Sequence, residues 1–178
     1  MSEHDHDDHE CAHCAALASG MTQAEALIHG LQETKQMIEE MGIAVIGVGS
    51  DGMGSIPFMY TIGFTNLGLP EVIIVAGIDP GMMTHFLNMY HAELLAGSKK
   101  AGPCIIDDYF NLPIAVIDCD DRVKEFTVQA DAYYEIVEEN KLTPKFVQWV
   151  LSDRHGKFPW NGDFTAHFGQ TLLGDAPQ

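Results

Sequence analysis

The amino-terminal residues hold the densest group of metal-ligating side chains in the sequence. Cysteine and histidine alternate with acids there, and the candidate ligands are His9, Cys11, His13 and Cys14. Two thiolates of a Cys-x-x-Cys pair can take adjacent tetrahedral positions on Zn²⁺, and a neighbouring histidine can supply a further ligand. The spacing predicts a divalent-metal site with zinc as the preferred ion. The alternative is a tail that chelates metal adventitiously.

A second group of polar side chains follows a predicted buried strand near the carboxyl end. Asp153, Arg154 and His155 are consecutive, and Trp160 follows closely. Loops anchored on a rigid strand often carry binding and proton-transfer groups. We interpret Asp153 and His155 as candidate catalytic groups. Arg154 would anchor an anion and Trp160 would form a stacking wall. The alternative is structural, with Asp153 forming a turn and Trp160 covering a sheet edge.

The residues that could face this loop across a ligand-binding cleft lie earlier in the chain. Tyr60 and Thr61 stand on a β-branched and aromatic stretch, and Glu71 begins the next apolar run. Gly63 and Gly68 lie beside these ligand-binding candidates and permit close approach of a ligand or of another backbone segment. The sequence therefore predicts a cleft for a small polar ligand between this stretch and the loop at residues 153–160.

Two stretches of the sequence carry the signals of a helix start. They lie on either side of the binding candidates Tyr60, Thr61 and Glu71. A capping box at residues 22–25 precedes apolar residues at helical spacing up to Gly42, and this pattern predicts a first helix. Asp79 followed by Pro80 is typical of a helix start, because aspartate caps the free amides and proline fits the first turn. The sequence therefore predicts a second helix after residue 79.

Short β-branched and aromatic runs, separated by turns that contain glycine or proline, predict the strands. They lie at residues 43–46, 58–65, 72–75, 103–110, 112–119 and 146–151. Within residues 120–140 we predict a further strand and then a helix, with the change near Thr127. Strands do not alternate strictly with helices. The sequence therefore predicts an α+β fold with two or three packed helices and a mainly antiparallel sheet, for which barrel-like closure is the open alternative.

Length and composition indicate one cytoplasmic domain. A chain of 178 residues suits a single core. We divide it into a His- and acid-rich mobile tail at residues 1–20 and a globular domain at residues 21–178. The start lacks the basic and apolar stretches of a secretory signal, and the longest apolar run is far shorter than the roughly 20 residues of a membrane span. The sparse cysteines are expected to be reduced thiols or metal ligands.

The charge balance limits the expected partners. The chain has 26 acidic residues against 9 lysines and arginines, which gives a formal net charge of −17. Such a surface repels phosphate backbones and anionic lipids, so we expect neither nucleic acid nor a membrane as partner. A basic protein partner and a homodimer remain open.

Three stretches together resemble a known family. They are residues 57–65 (PFMYTIGFT) with 69–72 (LPEV), residues 148–153 (QWVLSD), and residues 156–160 (GKFPW) with 172–174 (LLG). They resemble the bacterial domain of unknown function 4262, and the resemblance extends from about Cys11 onward. Members of this family open with a Cys-x-x-Cys pair, which Cys11 and Cys14 match. The His-rich acidic leader departs from the pattern, as do Leu151 and Ser152, where we expect the family to carry Trp-Pro. The resemblance implies a compact intracellular domain without an established activity.

Two classes of function follow from these observations. The first is a cytoplasmic protein that binds a small polar ligand in the predicted cleft, with or without turning it over, and that also carries the amino-terminal metal site. The second is a non-catalytic acidic interaction or inhibitor protein that engages a basic protein. A deep pocket lined by Tyr60, Arg154 and Trp160 would favour the first class, and a flat acidic face would favour the second.

Overall fold

The structure is a computed structural model that describes residues 18–50, 55–109, 111–138, 141–165 and 168–177. Most of the predicted tail at residues 1–20 lies outside these ranges. Within them the chain forms helices α1 (Gln23–Met41), α2 (Pro80–Leu95) and α3 (Val128–Ile136). The strands are β1 (Ala44–Val48), β2 (Phe58–Ile62), β3 (Glu71–Val75), β4 (Cys104–Ile106), β5 (Ile114–Asp118) and β6 (Phe146–Leu151). Short 3₁₀ helices span Phe64–Leu67 and Asp121–Glu125.

The strands form one sheet in the order β1-β2-β3-β6-β5-β4. At its centre β3 and β6 are parallel, with Glu71 opposite Phe146. The α+β class is confirmed. The sheet, however, is mixed, and within the described residues it is open, which corrects the prediction of a mainly antiparallel or barrel-like sheet. The parallel pair joins segments that are far apart in the chain, and such a pairing leaves no local sequence signal.

The predicted helix starts are confirmed. The Thr22 hydroxyl accepts from the Glu25 amide at 3.3 Å, and the Glu25 carboxylate accepts from the Thr22 amide at 2.8 Å, so the capping box is complete. The Asp79 carboxylate accepts from the Met82 amide at 2.7 Å at the start of α2. Gly42 ends α1 with φ of 85°, in the left-handed region that favours glycine.

Helices cover both faces of the sheet. On one face the side chains of Val72 and Ile74 pack with α2, and on the other face Ile73 and Val75 pack with α1 and α3. Strand β3 is therefore buried on both sides, which explains its uninterrupted apolar sequence.

The segment after β5 differs from its prediction. Residues 121–125 form a 3₁₀ helix where we predicted a strand, whereas the helix that begins after Thr127 is confirmed. The Asp120 carboxylate accepts from the amide and the guanidinium of Arg122, each at 2.9 Å. These local hydrogen bonds offer the backbone an alternative to a strand.

In the part of the chain that the structure describes, no helix is both long and apolar enough to cross a membrane.

Candidate functional site

The Glu71 carboxylate is the centre of a fully buried hydrogen-bond cluster. Its Oε2 accepts from the Thr61 hydroxyl at 2.7 Å. Its Oε1 accepts from the Tyr134 hydroxyl at 2.6 Å, the Thr65 amide at 2.8 Å and the Gly63 amide at 3.1 Å. Burial raises the pKa of Glu71, although the hydrogen bonds from Tyr134, Thr61 and Thr65 favour the ionised form. The cluster ties β2, β3, α3 and the 3₁₀ turn together.

The structure thus brings Thr61 and Glu71 together but gives them internal partners. Both side chains are fully buried, and the Thr61 hydroxyl also accepts from the Val72 amide at 2.9 Å. Tyr60 is buried beneath α1 and α3. Polar atoms whose hydrogen bonds are already satisfied in this way act structurally.

Asp153 organises the loop that follows β6. Its Oδ1 accepts from the His155 amide at 2.8 Å and the Lys157 amide at 3.0 Å, while its Oδ2 accepts from the Thr165 amide at 3.0 Å. Desolvation by burial opposes ionisation, yet these hydrogen bonds lower the pKa of Asp153 to about 2. A carboxylate held ionised in this way shapes a turn and is a poor proton donor or acceptor near neutral pH.

We predict that Asp153 makes the loop sensitive to acid. Its carboxyl pKa is about 2 in the folded chain, against ~3.9 in an unfolded one. Its contribution to stability is therefore present above about pH 4 and is lost as pH falls towards 2. Asp153→Asn should lower the melting temperature at pH 7 and flatten its decline between pH 5 and pH 2. Asp163→Asn, an exposed change in the same loop, is the control and should leave the pH profile as in the wild type.

The other loop candidates lie at the surface. Arg154 and His155 are exposed, and the Arg154 Nε donates to the His155 Nε2 at 3.0 Å. Trp160 is half-buried and stacks on Phe158 with ring centroids 5.0 Å apart. The two rings pack on a small apolar cluster, Ala115, Ile117 and Val150. Trp160 thus covers this part of the sheet.

The two predicted walls lie at opposite ends of β6. Glu71 pairs with Phe146 at its start, whereas Asp153 follows Leu151 at its end. With ~3.3 Å per residue, these ends are about 16 Å apart. Glu71 therefore lies far from the loop at residues 153–160, and Tyr60, which is level with Gln148 through Ile73, is buried.

A polar groove that sequence reasoning missed lies at the start of β6. It has a volume of about 620 Å³ and runs between the end of β5, the Asp121–Glu125 turn, α3 and the segment before β6. We call it the aspartate groove, after the side chains that line it, Asp118, Asp120, Asp121 and Asp131. Lys124 and Lys145 also line it. The signal in the sequence was the cluster of aspartates directly after β5.

The four carboxylates of the aspartate groove differ in their partners. Asp120 pairs with Arg122 at 2.6 Å and Asp121 pairs with Lys124 at 2.7 Å. Within the described ranges, Asp118 and Asp131 form neither an ion pair nor a side-chain hydrogen bond. These two carboxylates are therefore free to accept from a ligand.

Asp131 connects the groove to Tyr60. Burial raises the pKa of Asp131, while the charge of Lys124 lowers it. The charge of Asp131 in turn adds to the burial that raises the pKa of Tyr60. Phe146, which lines the groove, lies 6.4 Å from the Tyr60 ring between centroids. Tyr60 thus lies behind the inner end of the groove.

Cys119 gives the groove no nucleophile. Burial, followed by the charges of Asp120 and Asp118, raises the pKa of the Cys119 thiol to about 12. The thiol is protonated near neutral pH, and the thiolate is the reactive form.

The predicted metal ligands His9, Cys11, His13 and Cys14 lie outside the described residues. Within the described ranges, no group of three or more histidine, cysteine, aspartate or glutamate side chains is arranged to hold a metal ion. His29 on α1 lines a groove with Ser19 and Gly20, near the first described residue. Its Nδ1 lies 3.8 Å from the Glu33 carboxylate.

Comparison with protein-family models assigns most of the chain to one family. The model for a domain of unknown function, DUF4262, matches residues 37–165, a range that includes every strand and the aspartate groove. No curated protein and no solved structure matches the chain. The match spans well over half of the sequence and agrees with the motifs in β2, β3 and β6. The chain therefore belongs to the DUF4262 family.

Proposed function

We propose that the protein binds a small, positively charged polar ligand in the aspartate groove. The observation that supports this most directly is the pair of carboxylates, Asp118 and Asp131, that line one groove and form neither an ion pair nor a side-chain hydrogen bond among the described residues. A ligand ammonium or guanidinium group would form charge-assisted hydrogen bonds with them, which are the stronger kind.

Size and lining favour an elongated amine. A volume of about 620 Å³ is typical of small-molecule sites. Val123 and Phe146 supply apolar surface for methylene groups between charged ends. Lys124 and Lys145 also line the groove, but Lys124 pairs with Asp121, and the four aspartates outnumber the two lysines that would repel an amine. An aliphatic di- or polyamine satisfies these conditions.

The net charge of the chain supports the same ligand class. An excess of acidic residues, with a formal charge of −17, raises the local concentration of cations and speeds their association. It also favours a second candidate function, the engagement of a basic protein. The two candidate functions differ in the extent of the binding surface. A small amine needs only the groove, whereas a basic protein needs a broad acidic face.

Spermidine is a suitable probe for the groove. We expect it to bind the wild-type protein at low ionic strength, and Asp118→Asn and Asp131→Asn each to weaken binding by about tenfold, since a charged hydrogen bond contributes about 1.5–3 kcal/mol. Isothermal titration calorimetry measures the affinities. Asp163→Asn is the matched control, because it removes the same charge from a distant loop, and it should change the affinity less than twofold.

The same set of variants separates the candidate functions. If a short oligolysine peptide binds and all three variants weaken it equally, the acidic surface as a whole is the interface and the basic-protein candidate is supported. Equal weakening of spermidine binding by Asp163→Asn and Asp131→Asn would count against the groove.

We also propose a zinc site in the amino-terminal segment. Cys11 and Cys14 would supply two ligands, with His13 or His9 as a third. His29 is a candidate for the fourth, because its side chain lines the groove that Ser19 and Gly20 also line, next to the amino-terminal segment. Cys14 precedes Ser19 closely enough in the chain for its segment to reach this groove.

Zinc content and cobalt spectra test this site. The wild-type protein should bind one equivalent, and Cys11→Ser with Cys14→Ser should abolish binding. His29→Asn should weaken Co²⁺ binding and reduce its tetrahedral absorption, whereas His85→Asn on α2 should change neither. Wild-type metal content in the double cysteine variant would refute the site.

A further inference from the structure

A small apolar pocket lies at the end of β6, away from the aspartate groove. It has a volume of about 130 Å³ and lies between the start of α2, the residues before β5 and the carboxyl-terminal segment. Its walls include Ile78, Met83, Leu112, Ile114 and Phe168. Nearly all of the surface that these walls present is hydrocarbon or thioether.

Ser152 is the polar exception among the described lining residues. It is 5 % exposed, and its Oγ has no hydrogen-bond partner among the described residues. The buried hydroxyls of Thr61, Thr34 and Thr127, by contrast, all donate to protein acceptors. A buried hydroxyl without a partner is unusual and costs free energy, so it calls for an explanation.

The position of Ser152 is fixed by its neighbours. The Leu151 amide donates to the Gln170 side chain at 2.9 Å, and the Gln170 amide donates to the Leu151 carbonyl at 3.2 Å. On the other side, Asp153 is held by its own hydrogen bonds. These bonds fix the backbone on both sides of Ser152, so its hydroxyl can change place only by rotation of the side chain.

We propose that this pocket binds a small aromatic molecule that carries one hydroxyl group, which hydrogen-bonds to the Ser152 Oγ. An apolar cavity of about 150 Å³ is known to accept benzene, so a volume of about 130 Å³ suits a single six-membered ring. Met82 and Met83 are adaptable side chains that can close around a ring, and Met82 is partly exposed at the rim. The ring would fill the apolar space and its hydroxyl would satisfy the serine.

Phenol and benzene are the probes, because they differ only in the hydroxyl. We expect both to bind the full-length protein, and phenol to bind about fivefold more tightly, as a net hydrogen bond predicts. Ser152→Ala should remove this difference and leave benzene binding unchanged. Ser98→Ala is the matched control, because Ser98 is exposed and bonds to the Glu93 carbonyl at 3.1 Å, and it should preserve the difference.

Methyl-labelled methionine locates the bound ring. On addition of phenol the NMR signals of Met82 and Met83 should shift, while that of Met37 on the far helix α1 should not. The proposal is overturned if phenol leaves Met82 and Met83 unshifted, or if the preference for phenol over benzene persists in Ser152→Ala. Neither readout depends on the aspartate groove.

Discussion

Glu71→Ala is expected to lower the free energy of unfolding by about 3 kcal/mol or more, because each unsatisfied buried donor costs about 1–3 kcal/mol. The carboxylate accepts hydrogen bonds from the amides of Gly63 and Thr65 and from the hydroxyls of Thr61 and Tyr134. Alanine would leave the Thr61 and Tyr134 hydroxyls and the Thr65 amide without this acceptor, whereas the Gly63 amide keeps the Tyr134 hydroxyl at 2.8 Å. The fully buried position excludes water. Urea unfolding measures the change.

Glu71→Gln is the matched control for this prediction. Its amide oxygen can keep the hydrogen bonds from Gly63, Thr65 and Tyr134, while its amide nitrogen can donate to the Thr61 hydroxyl. We therefore expect glutamine to cost less than half as much as alanine. A Glu71→Ala protein with wild-type stability would show that the cluster does not hold β2 to β3.

Trp149→Ala should cost about 3–5 kcal/mol, as is typical when a buried tryptophan is truncated. Trp149 is fully buried on β6, and its ring lies 5.3 Å from Tyr90 and 5.9 Å from Tyr109 between centroids. Alanine would leave a cavity between the sheet and α2 that the surrounding aromatic rings cannot fill. Thermal and urea unfolding both report this loss.

Two further variants provide comparisons for the destabilisation expected of Trp149→Ala. Trp160→Ala should cost clearly less, because Trp160 is only half-buried and stacks on Phe158 at the surface of the sheet. Trp149→Phe should also cost less than alanine, since it keeps most of the ring volume and the Trp149 Nε1 has no hydrogen-bond partner among the described residues. If Trp160→Ala destabilised the protein as much as Trp149→Ala, Trp160 would belong to the main core.

Local signals in the sequence predicted much of the fold. The capping box at residues 22–25 and the aspartate before Pro80 set both helix starts, because caps depend on residues within one turn. The apolar run at residues 72–75 predicted strand β3. The parallel pairing of β3 with β6 was beyond prediction, because it depends on the packing of the long segment between them.

The site was harder to predict than the fold, for a related reason. Asp153 and Glu71 carry chemically versatile side chains, yet backbone amides and nearby hydroxyls occupy their oxygen atoms. Asp118 and Asp131 share a groove only because a 3₁₀ turn reverses the chain between them. Residue type suggested reactive groups, whereas the hydrogen bonds made in the fold decide which of them remain available.

The location of cation binding is the most direct test of the proposed function. Spermidine titrated into ¹⁵N-labelled protein should shift amide NMR signals at residues 118–131 and 143–146, which line the aspartate groove. Asp131→Asn should remove these shifts at the same spermidine concentration, whereas Asp163→Asn should retain them. Shifts spread evenly over the acidic surface, or confined to another region, would contradict a ligand site in this groove.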